Sequence, residues 1–339
     1  MSILRFRRVA SEQGPKVQLG NGQSWKNLAG LPTLAGKPVP DDMVSALRLA
    51  QERYEALQED FAAASEAPQT GVDAAPLLPL RPSTYRDFML YEQHSINAVR
   101  GFHKRYLPKI FRRLSLLEHI TGKPAARYRP KPIFYQRPIY YLGSNQNFHT
   151  DGDVIGWPEF TEALDYELEL GVVLVRSIFR ASPEEVADAI GGLVVFNDFS
   201  ARDVQAPEMG SGFGPQRSKN FANAMSAEVV CFAPFRDKLE SLTGTVSING
   251  ELVSRCSSTG GQFGLLEAIS IVSQSERLHA GELFGSGTWP GGCALENGHW
   301  VKPGDTLTMA IDGIASLSTR IERSDEATAR MPQAAAFAN

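Results

Sequence analysis

Cysteine is scarce in this 339-residue chain, and the three cysteines stand far apart, at Cys231, Cys256 and Cys293. An odd number at this spacing forms neither a zinc-binding motif nor a disulfide framework. No stretch reaches the about 18 consecutive apolar residues that suggest a transmembrane helix. The charged N-terminus is not followed by an apolar segment, so no signal peptide is predicted. These absences predict a protein of the reducing cytoplasm without a membrane partner.

Signatures of nucleotide-binding proteins and serine hydrolases are also missing. The chain has no Walker A sequence and no Gly-x-Ser-x-Gly elbow. The glycine-rich runs 210–214 and 285–288 lack the strand, long helix and later acidic residue of a dinucleotide site. The net charge is −4, and the basic segment 100–137 lacks the interleaved aromatics of single-strand binding surfaces. No nucleic-acid partner is predicted, and segment 100–137 is either a solvated face or a positively charged lid over an anionic substrate.

Two acidic motifs stand out against this ordinary globular composition. Glu167 and Glu169 are two residues apart in an apolar run, and the alternation of a strand places both on one face. Carboxylates in an apolar setting lose hydration and repel each other, so they protonate unless a cation holds them. Asp198 follows a second apolar run, 193–196. Three oxygen ligands without a nearby cysteine favour Mg²⁺ or Ca²⁺, whereas the alternative is a solvent-facing pair on a half-exposed sheet.

The chain divides into three predicted parts. Residues 1–80 form a small N-terminal domain with a helix opening at 40–42, and the Ala- and Pro-rich segment 64–83 is interpreted as the linker. Residues 81–323 form the larger, β-rich domain. Residues 324–339 form a flexible tail.

A second helix is predicted after Ser83. Within it Asp87, Tyr91 and His94 occupy positions i, i+4 and i+7, which share one helical face. Further along, a capping box at 182–185 opens a short helix, and an Asn-Gly turn at 249–250 closes a hairpin. The remaining predicted elements are a helix over 264–278 and strands over 282–287, 306–311 and 316–321.

Five short motifs occur in a fixed order along the larger domain, and they are Asp165-Tyr-Glu-Leu-Glu-Leu170 and the segments 195–205, 218–221, 285–288 and 302–305. Their order resembles the fumarylacetoacetate hydrolase family over roughly residues 81–323. The resemblance implies an α+β fold, a mixed β-roll of the C-terminal type of that family with a small N-terminal domain. It also implies a homodimer with one divalent cation, Mg²⁺ or Ca²⁺, per subunit.

The resemblance extends to fumarylacetoacetases proper, which place a histidine seven residues after a metal-binding aspartate and pair it with a glutamate. It implies metal ligands Asp87, Glu167, Glu169 and Asp198, catalytic residues His94, Glu296 and Lys219, and substrate contacts Gln205, Thr288, Tyr91 and His103. Two positions depart from the pattern, because Met89 replaces a tyrosine and His103 replaces an arginine. The metal residues match while the recognition residues differ, so we expect a substrate other than fumarylacetoacetate.

The implied function is metal-dependent hydrolysis of a C–C bond in a 1,3-dicarbonyl substrate, such as an acylpyruvate. His94 takes a proton from water, Glu296 orients the imidazole, and Lys219 with Gln205 holds the developing negative charge. One alternative is a decarboxylase, hydratase or isomerase of a 2-keto acid on the same metal scaffold. The other is a non-catalytic dimeric binding protein.

Overall fold

The fold is α+β, and a computed structural model describes it for residues 3–12, 14–63 and 76–323. In this part of the chain the strands form sheets of twelve, five and two strands. In chain order the strands are β1 (Arg5–Val9), β2 (Lys16–Gly20), β3 (Trp25–Asn27), β4 (Pro76–Leu77), β5 (Tyr85–Phe88), β6 (Tyr140–Gly143), β7 (Phe148–His149), β8 (Val154–Trp157), β9 (Leu164–Asp165), β10 (Leu168–Leu174), β11 (Ile190–Asn197), β12 (Ser200–Ala201), β13 (Asn223–Met225), β14 (Glu228–Cys231), β15 (Thr243–Ile248), β16 (Glu251–Ser257), β17 (Leu283–Gly285), β18 (Thr306–Ile311) and β19 (Ala315–Arg323).

Helices accompany these sheets, and most of them are short. Over the described residues the α-helices are α1 (Met43–Ala63), α2 (Glu92–Tyr106), α3 (Pro108–Thr121), α4 (Pro183–Ala189), α5 (Arg202–Gly210), α6 (Leu265–Ser273) and α7 (Ala294–Asn297). Short 3-10 turns cover Leu28–Gly30, Pro32–Leu34, Ala126–Tyr128, Pro132–Tyr135 and Ala233–Phe235. Among the described helices, none combines the length and apolar character that crossing a membrane requires.

Strand β10 lies inside the large sheet, and all seven of its residues are buried. It pairs antiparallel with β11 on one side and with β17 on the other, and β17 pairs in parallel with β5. The register sets Glu169 opposite Phe196, and it sets Gly285 opposite both Gly171 and Asp87. Strand β17, with Gly285, therefore lies between the strands that carry Asp87 and Glu169.

The N-terminal residues extend the large sheet through β1, which pairs antiparallel with β14, β2 and β4. Helix α1 begins one residue after the predicted opening and buries Leu47 and Ala50. These side chains share a hydrophobic cluster with Val194 and Phe196 of β11. The N-terminal segment thus contributes to the sheet that also contains the acidic motifs.

The division at residue 80 stays a prediction. Of the predicted linker, residues 64–75 lie outside the described residues, as does the predicted tail 324–339. The linker's later part includes strand β4, which pairs with the end of β1.

The predicted helix after Ser83 is wrong in its first half. Residues Tyr85–Phe88 form strand β5, all four side chains are buried, and the strand pairs with both β17 and β6. Helix α2 begins only at Glu92, with Tyr91 as its N-cap residue. Asp87 and His94 therefore come from a strand and from a helix, not from one helical face.

Most of the smaller predictions are confirmed, with shifted ends. Helix α4 begins with the capping box of Ser182 and Glu185. The Asn-Gly turn joins β15 to β16, and both of its residues have positive φ, 53° at Asn249 and 82° at Gly250. Helix α6 and strand β17 are shorter than predicted, and β10 begins at Leu168, one residue after Glu167.

Candidate active site

Four buried carboxylates converge at one end of the central strands. Asp87 comes from β5, Glu169 from β10, and Glu167 and Asp198 directly precede β10 and follow β11. One oxygen atom from each of the four lies within 4.8 Å of the others. We call Asp87, Glu167, Glu169 and Asp198 the carboxylate cluster, and it unites all four predicted metal ligands.

Two buried cations contact one side of this cluster. The Nζ atom of Lys219 donates a hydrogen bond to Glu167 and another, of 2.6 Å, to Oδ2 of Asp198. The Nη2 atom of Arg202 lies 2.6 Å from Oε1 of Glu167. With all four carboxylates ionised, these two cations would leave an excess of two negative charges.

Burial and mutual repulsion control the protonation of the cluster. Burial raises the pKa of Asp87 and of Glu169 well above the ordinary values, and neighbouring carboxylates add to this rise. Burial also raises the pKa of Asp198 to about 6 although Lys219 opposes it. Although burial acts to raise it, Lys219 and Arg202 lower the pKa of Glu167 below its ordinary range. The cluster is thus divided into a side paired with cations and a side without them.

The side without cations fits a divalent cation. The Oδ1 atom of Asp87 is buried and has no hydrogen-bond partner among the described residues. A Cβ atom at Gly285 would lie 2.6 Å from this oxygen and 2.7 Å from Oε2 of Glu169, so glycine leaves room for both. An all-oxygen donor set with excess negative charge matches the preference of Mg²⁺ and Ca²⁺.

A histidine and a glutamate from two different helices meet next to the cluster. The Nδ1 atom of His94, in the first turn of α2, lies 2.6 Å from Oε1 of Glu296 on α7. The other oxygen of Glu296 accepts hydrogen bonds from the backbone N–H of Gly291 at 3.0 Å and from Nδ2 of Asn97 at 3.2 Å. Because Glu296 is held at both oxygens, it fixes the orientation of the imidazole. We call His94 and Glu296 the dyad.

Asp165 connects the dyad to the carboxylate cluster. Its carboxylate is fully buried, accepts from Nε of Arg202 at 2.7 Å, and accepts from the backbone N–H groups of Ala294 at 2.7 Å and Leu295 at 3.2 Å. Arg202 in turn contacts Glu167. One carboxylate therefore positions both the helix that presents Glu296 and the arginine that pairs with a cluster residue.

Of the four predicted substrate contacts, two lie at the border of the cluster. The hydroxyl of Thr288 lies 3.5 Å from Oε1 of Glu169. Gln205 accepts a hydrogen bond of 2.9 Å from Nη1 of Arg202. Both residues therefore stand where a substrate bound at the cluster could be contacted.

The other two predicted contacts, Tyr91 and His103, form hydrogen bonds to backbone carbonyls. The buried hydroxyl of Tyr91 donates to the backbone carbonyl of Ser258 at 3.2 Å. His103 lies nine residues beyond His94 on α2, roughly 13 Å along the helix axis. Its Nδ1–H donates to the carbonyl of Val99, and its ring packs against Tyr128 with centroids 5.4 Å apart.

Sequence reasoning missed several partners of the cluster. The hydroxyl of Tyr141 donates to Oδ2 of Asp198 at 2.7 Å, and the amide of Asn223, in the orientation its neighbours favour, donates to Oδ1 at 2.9 Å. No sequence motif near either residue indicates its contact with Asp198. Tyr141 reaches the cluster because strand pairing places it opposite Asp87. Arg202, within the motif 195–205, pairs with Asp165 and also reaches Glu167.

Comparisons with known sequences agree with this architecture. The sequence model described as "Fumarylacetoacetate (FAA) hydrolase C-terminal" matches residues 116–322, which is more than half of the chain. This match contains Glu167, Glu169 and Asp198, whereas Asp87 and His94 precede it.

Curated relatives are similar over somewhat more than half of the chain. "Oxaloacetate tautomerase YisK" of Bacillus subtilis is 30% identical over 197 residues, 55% of this chain and 62% of that protein. "Oxaloacetate tautomerase FAHD1, mitochondrial" of Homo sapiens is 31% identical over 190 residues, 55% of this chain and 81% of that protein. The match thus spans less than two thirds of the bacterial relative.

Solved structures share the fold across nearly the whole chain. A putative HpcE protein from Mycobacterium smegmatis superposes with a TM-score of 0.69 at 19% identity, covering 95% of this chain and 100% of that one. A fumarylacetoacetate hydrolase from Exiguobacterium antarcticum superposes with a TM-score of 0.68 at 16% identity, with the same coverage. At these identities the similarity establishes the architecture.

Proposed function

The chain belongs to the fumarylacetoacetate hydrolase family, and from this premise we propose that it is a metal-dependent enzyme that hydrolyses a C–C bond in a 1,3-dicarbonyl substrate. The observation that supports this proposal is the 2.6 Å contact between His94 and Glu296 beside the carboxylate cluster. Such a pair activates water, and a C–C hydrolase needs activated water at a carbonyl. The substrate class is a 2-keto acid or acylpyruvate. A homodimer, a cytoplasmic location and the lack of a nucleic-acid partner remain predictions.

The four residues Asp87, Glu167, Glu169 and Asp198 would hold one divalent cation, Mg²⁺ or Ca²⁺, per subunit. When bound, this cation supplies Lewis-acid polarisation of the substrate carbonyl and stabilises negative charge on its oxygens. Lys219 and Arg202 keep Glu167 ionised, because they lower its pKa against the effect of burial. The protein thus presents anionic ligands at a position from which bulk water is excluded.

The dyad would carry out the proton transfer from water. A carboxylate accepts from an N–H, so Glu296 holds the imidazole with its proton on Nδ1 and leaves Nε2 of His94 as the base. Among the described residues, the hydrogen bond given for the His94 ring runs through Nδ1. His94 would take a proton from water at Nε2, and Glu296 would stabilise the resulting imidazolium, as in other orienter–base pairs.

The remaining polar residues would act on the substrate. Lys219, which is 3% exposed, would stabilise the developing enolate or oxyanion from its place beside Asp198. Gln205 and Thr288 would contact substrate oxygens, and Tyr91 would shape the wall because its hydroxyl is engaged by Ser258. His103 would take no part in the reaction, because its ring packs against Tyr128 and its Nδ1–H bonds to Val99.

Tautomerisation of a 2-keto acid is the second candidate. It is favoured by the relatives at 30% and 31% identity whose names are oxaloacetate tautomerases. The same cation site would stabilise an enolate, and the base would move a proton on carbon without attack by water. The two candidates therefore differ in whether the dyad activates water.

Product analysis separates the candidates. The purified protein is incubated in H₂¹⁸O with fumarylacetoacetate, several acylpyruvates and oxaloacetate, with Mg²⁺ or with EDTA, and the products are identified by mass spectrometry. Two fragments, one with ¹⁸O in its new carboxylate, are expected with Mg²⁺ and not with EDTA. Metal-dependent exchange of the C3 protons of oxaloacetate in D₂O, beyond the uncatalysed rate and without fragments, would instead establish the tautomerase. Release of CO₂ faster than in the enzyme-free control with Mg²⁺ would contradict both.

A further inference from the structure

A cysteine completes a second group of potential metal ligands at the dyad. The Sγ atom of Cys293 lies 3.5 Å from Oε1 of Glu296, the same oxygen that contacts Nδ1 of His94 at 2.6 Å. One ligand atom from each of the three residues lies within 4.8 Å of the others. Cys293 and the side chain of Glu296 are buried, whereas the His94 side chain is 11% exposed and offers the approach from solvent.

The chemistry of this group differs from that of the carboxylate cluster. A thiolate, an imidazole and a carboxylate form the mixed donor set of zinc, whereas Mg²⁺ and Ca²⁺ prefer oxygen alone. With bonds of about 2.0–2.3 Å, tetrahedral ligands stand roughly 3.2–3.6 Å apart. The Cys293–Glu296 distance of 3.5 Å already fits this spacing, and the His94–Glu296 distance of 2.6 Å would open by several tenths of an ångström.

The surroundings hold the glutamate in the orientation that such a site needs. Asn97 and the N–H of Gly291 both donate to Oε2 of Glu296, which leaves Oε1 facing His94 and Cys293. Hydrogen bonds of this kind to a ligating carboxylate orient it and strengthen metal binding.

We propose that His94, Cys293 and Glu296 form a second metal site, selective for thiophilic divalent cations such as Zn²⁺ and Co²⁺, whose occupancy blocks the dyad. On binding, the imidazole proton moves from Nδ1 to Nε2, the thiol proton passes to solvent, and a water takes the fourth position. Occupation of Nδ1 and protonation of Nε2 remove the base. Inhibition of the enzyme by this second metal rests on the proposed function, whereas binding of the metal does not.

Cobalt spectroscopy tests the site without any assay of activity. The full-length protein is saturated with Mg²⁺ to fill the carboxylate cluster, and Co²⁺ is then added while the near-ultraviolet absorption is recorded. A thiolate-to-cobalt charge-transfer band is expected in the wild type. Cys293→Ala should lose this band, and the matched variant Cys231→Ala, which removes a buried thiol of β14, should keep it.

The affinity for Zn²⁺ is measured by competition with a chromophoric chelator. We expect Cys293→Ala to weaken Zn²⁺ binding at least about 10–100-fold, the range seen when even outer-shell partners are lost. His94→Ala, at a partly exposed position, serves if Cys293→Ala fails to fold, and it should weaken binding similarly. No cobalt band in the folded wild type, or a band that survives in Cys293→Ala, would overturn the proposal.

Zinc inhibition is measured last, relative to the uninhibited rate of each variant. A cobalt band in a protein without turnover would leave the metal site standing and contradict only the proposed function. Turnover without a cobalt band would contradict the second metal site and leave the proposed function standing.

Discussion

The carboxylate cluster and the dyad are neighbours that are stabilised in different ways. The cluster crowds four buried carboxylates around two cations and keeps excess negative charge. The dyad is a hydrogen-bonded pair whose glutamate is satisfied at both oxygens by Asn97, Gly291 and His94. A bound cation would reduce the repulsion between the carboxylates of the cluster. The dyad needs no cation, because the packing of α2 against α7 brings its two residues together.

This difference separates two tasks within one site. Repulsion and burial in the cluster disfavour the ionised form and thereby favour a cation that replaces protons. The dyad does not need the Mg²⁺ or Ca²⁺ ion that the cluster favours. Its two side chains are already in contact without substrate. Variants should therefore affect metal binding and proton transfer independently.

Removal of a cluster carboxylate should have the largest effect. We expect Glu169→Gln to lower kcat/KM by about 10³-fold, since Lewis-acid stabilisation contributes several kcal/mol. The rise in Tm on addition of Mg²⁺ should disappear. The metal-free variant should lose no stability, because burial and neighbouring carboxylates disfavour the ionised form of Glu169 and the amide is neutral. Rates and thermal melts with Mg²⁺ or EDTA measure both. The exposed Glu251→Gln is the control, and a persistent Mg²⁺-induced shift in Glu169→Gln would argue against this site.

Breaking the dyad should slow the reaction and spare the metal. We expect His94→Ala and Glu296→Gln each to lower kcat by about 10²–10³-fold, within the range for general acid–base groups. Both should keep the Mg²⁺-induced rise in Tm, because neither residue belongs to the cluster. Steady-state kinetics and melts on the same preparations give the comparison. Unchanged kcat in both variants would remove the dyad from the mechanism.

The two regions also differed in how far the sequence could predict them. Glu167, Glu169 and Asp198 follow from local pattern, because each lies in or beside a long apolar strand. Asp87 was assigned to a helix because the four-residue strand β5 is specified by its partners β17 and β6, which are far away in sequence.

Partners brought in by tertiary structure alone could not be predicted. Tyr141 reaches Asp198 only through sheet pairing, and Asp165 was known as a motif residue without its bonds to α7. The dyad was predicted from family resemblance rather than from its residues, since nothing local connects positions 94 and 296. His103 shows the limit of that transfer, because its ring packs against Tyr128 in the 3-10 turn after α3.

Two glycines allow each region to be disturbed without removing a functional atom. A methyl group at Gly285 would lie within 2.7 Å of the Asp87 and Glu169 carboxylates, and one at Gly101 would lie 1.7 Å from the carbonyl oxygen of Leu295 on α7. We expect Gly285→Ala to weaken Mg²⁺ binding about 10–100-fold, comparable to a lost outer-shell partner. Gly101→Ala should push α2 from α7 and lower kcat by a similar factor.

Metal titration by calorimetry and steady-state kinetics distinguish the two variants. Gly30→Ala is the control, because nothing lies within 4 Å of a methyl group there. Weaker Mg²⁺ binding in Gly101→Ala together with normal binding in Gly285→Ala would contradict the assignment of metal binding to the cluster and of proton transfer to the dyad.

The smallest effect is a pH dependence of stability in the metal-free protein. Burial raises the pKa of Asp198 to about 6, above the ordinary value of about 3.9 that it has in the unfolded chain. Between about pH 4.5 and 5.5 the folded state therefore binds more protons than the unfolded state, so stability falls as pH rises, by about 1 kcal/mol. Urea unfolding in EDTA should show this decline in the wild type relative to Asp198→Asn. Saturating Mg²⁺ should abolish it, because the cation occupies the ionised cluster, and relative stability that rises with pH in EDTA would contradict the burial-dominated account of Asp198.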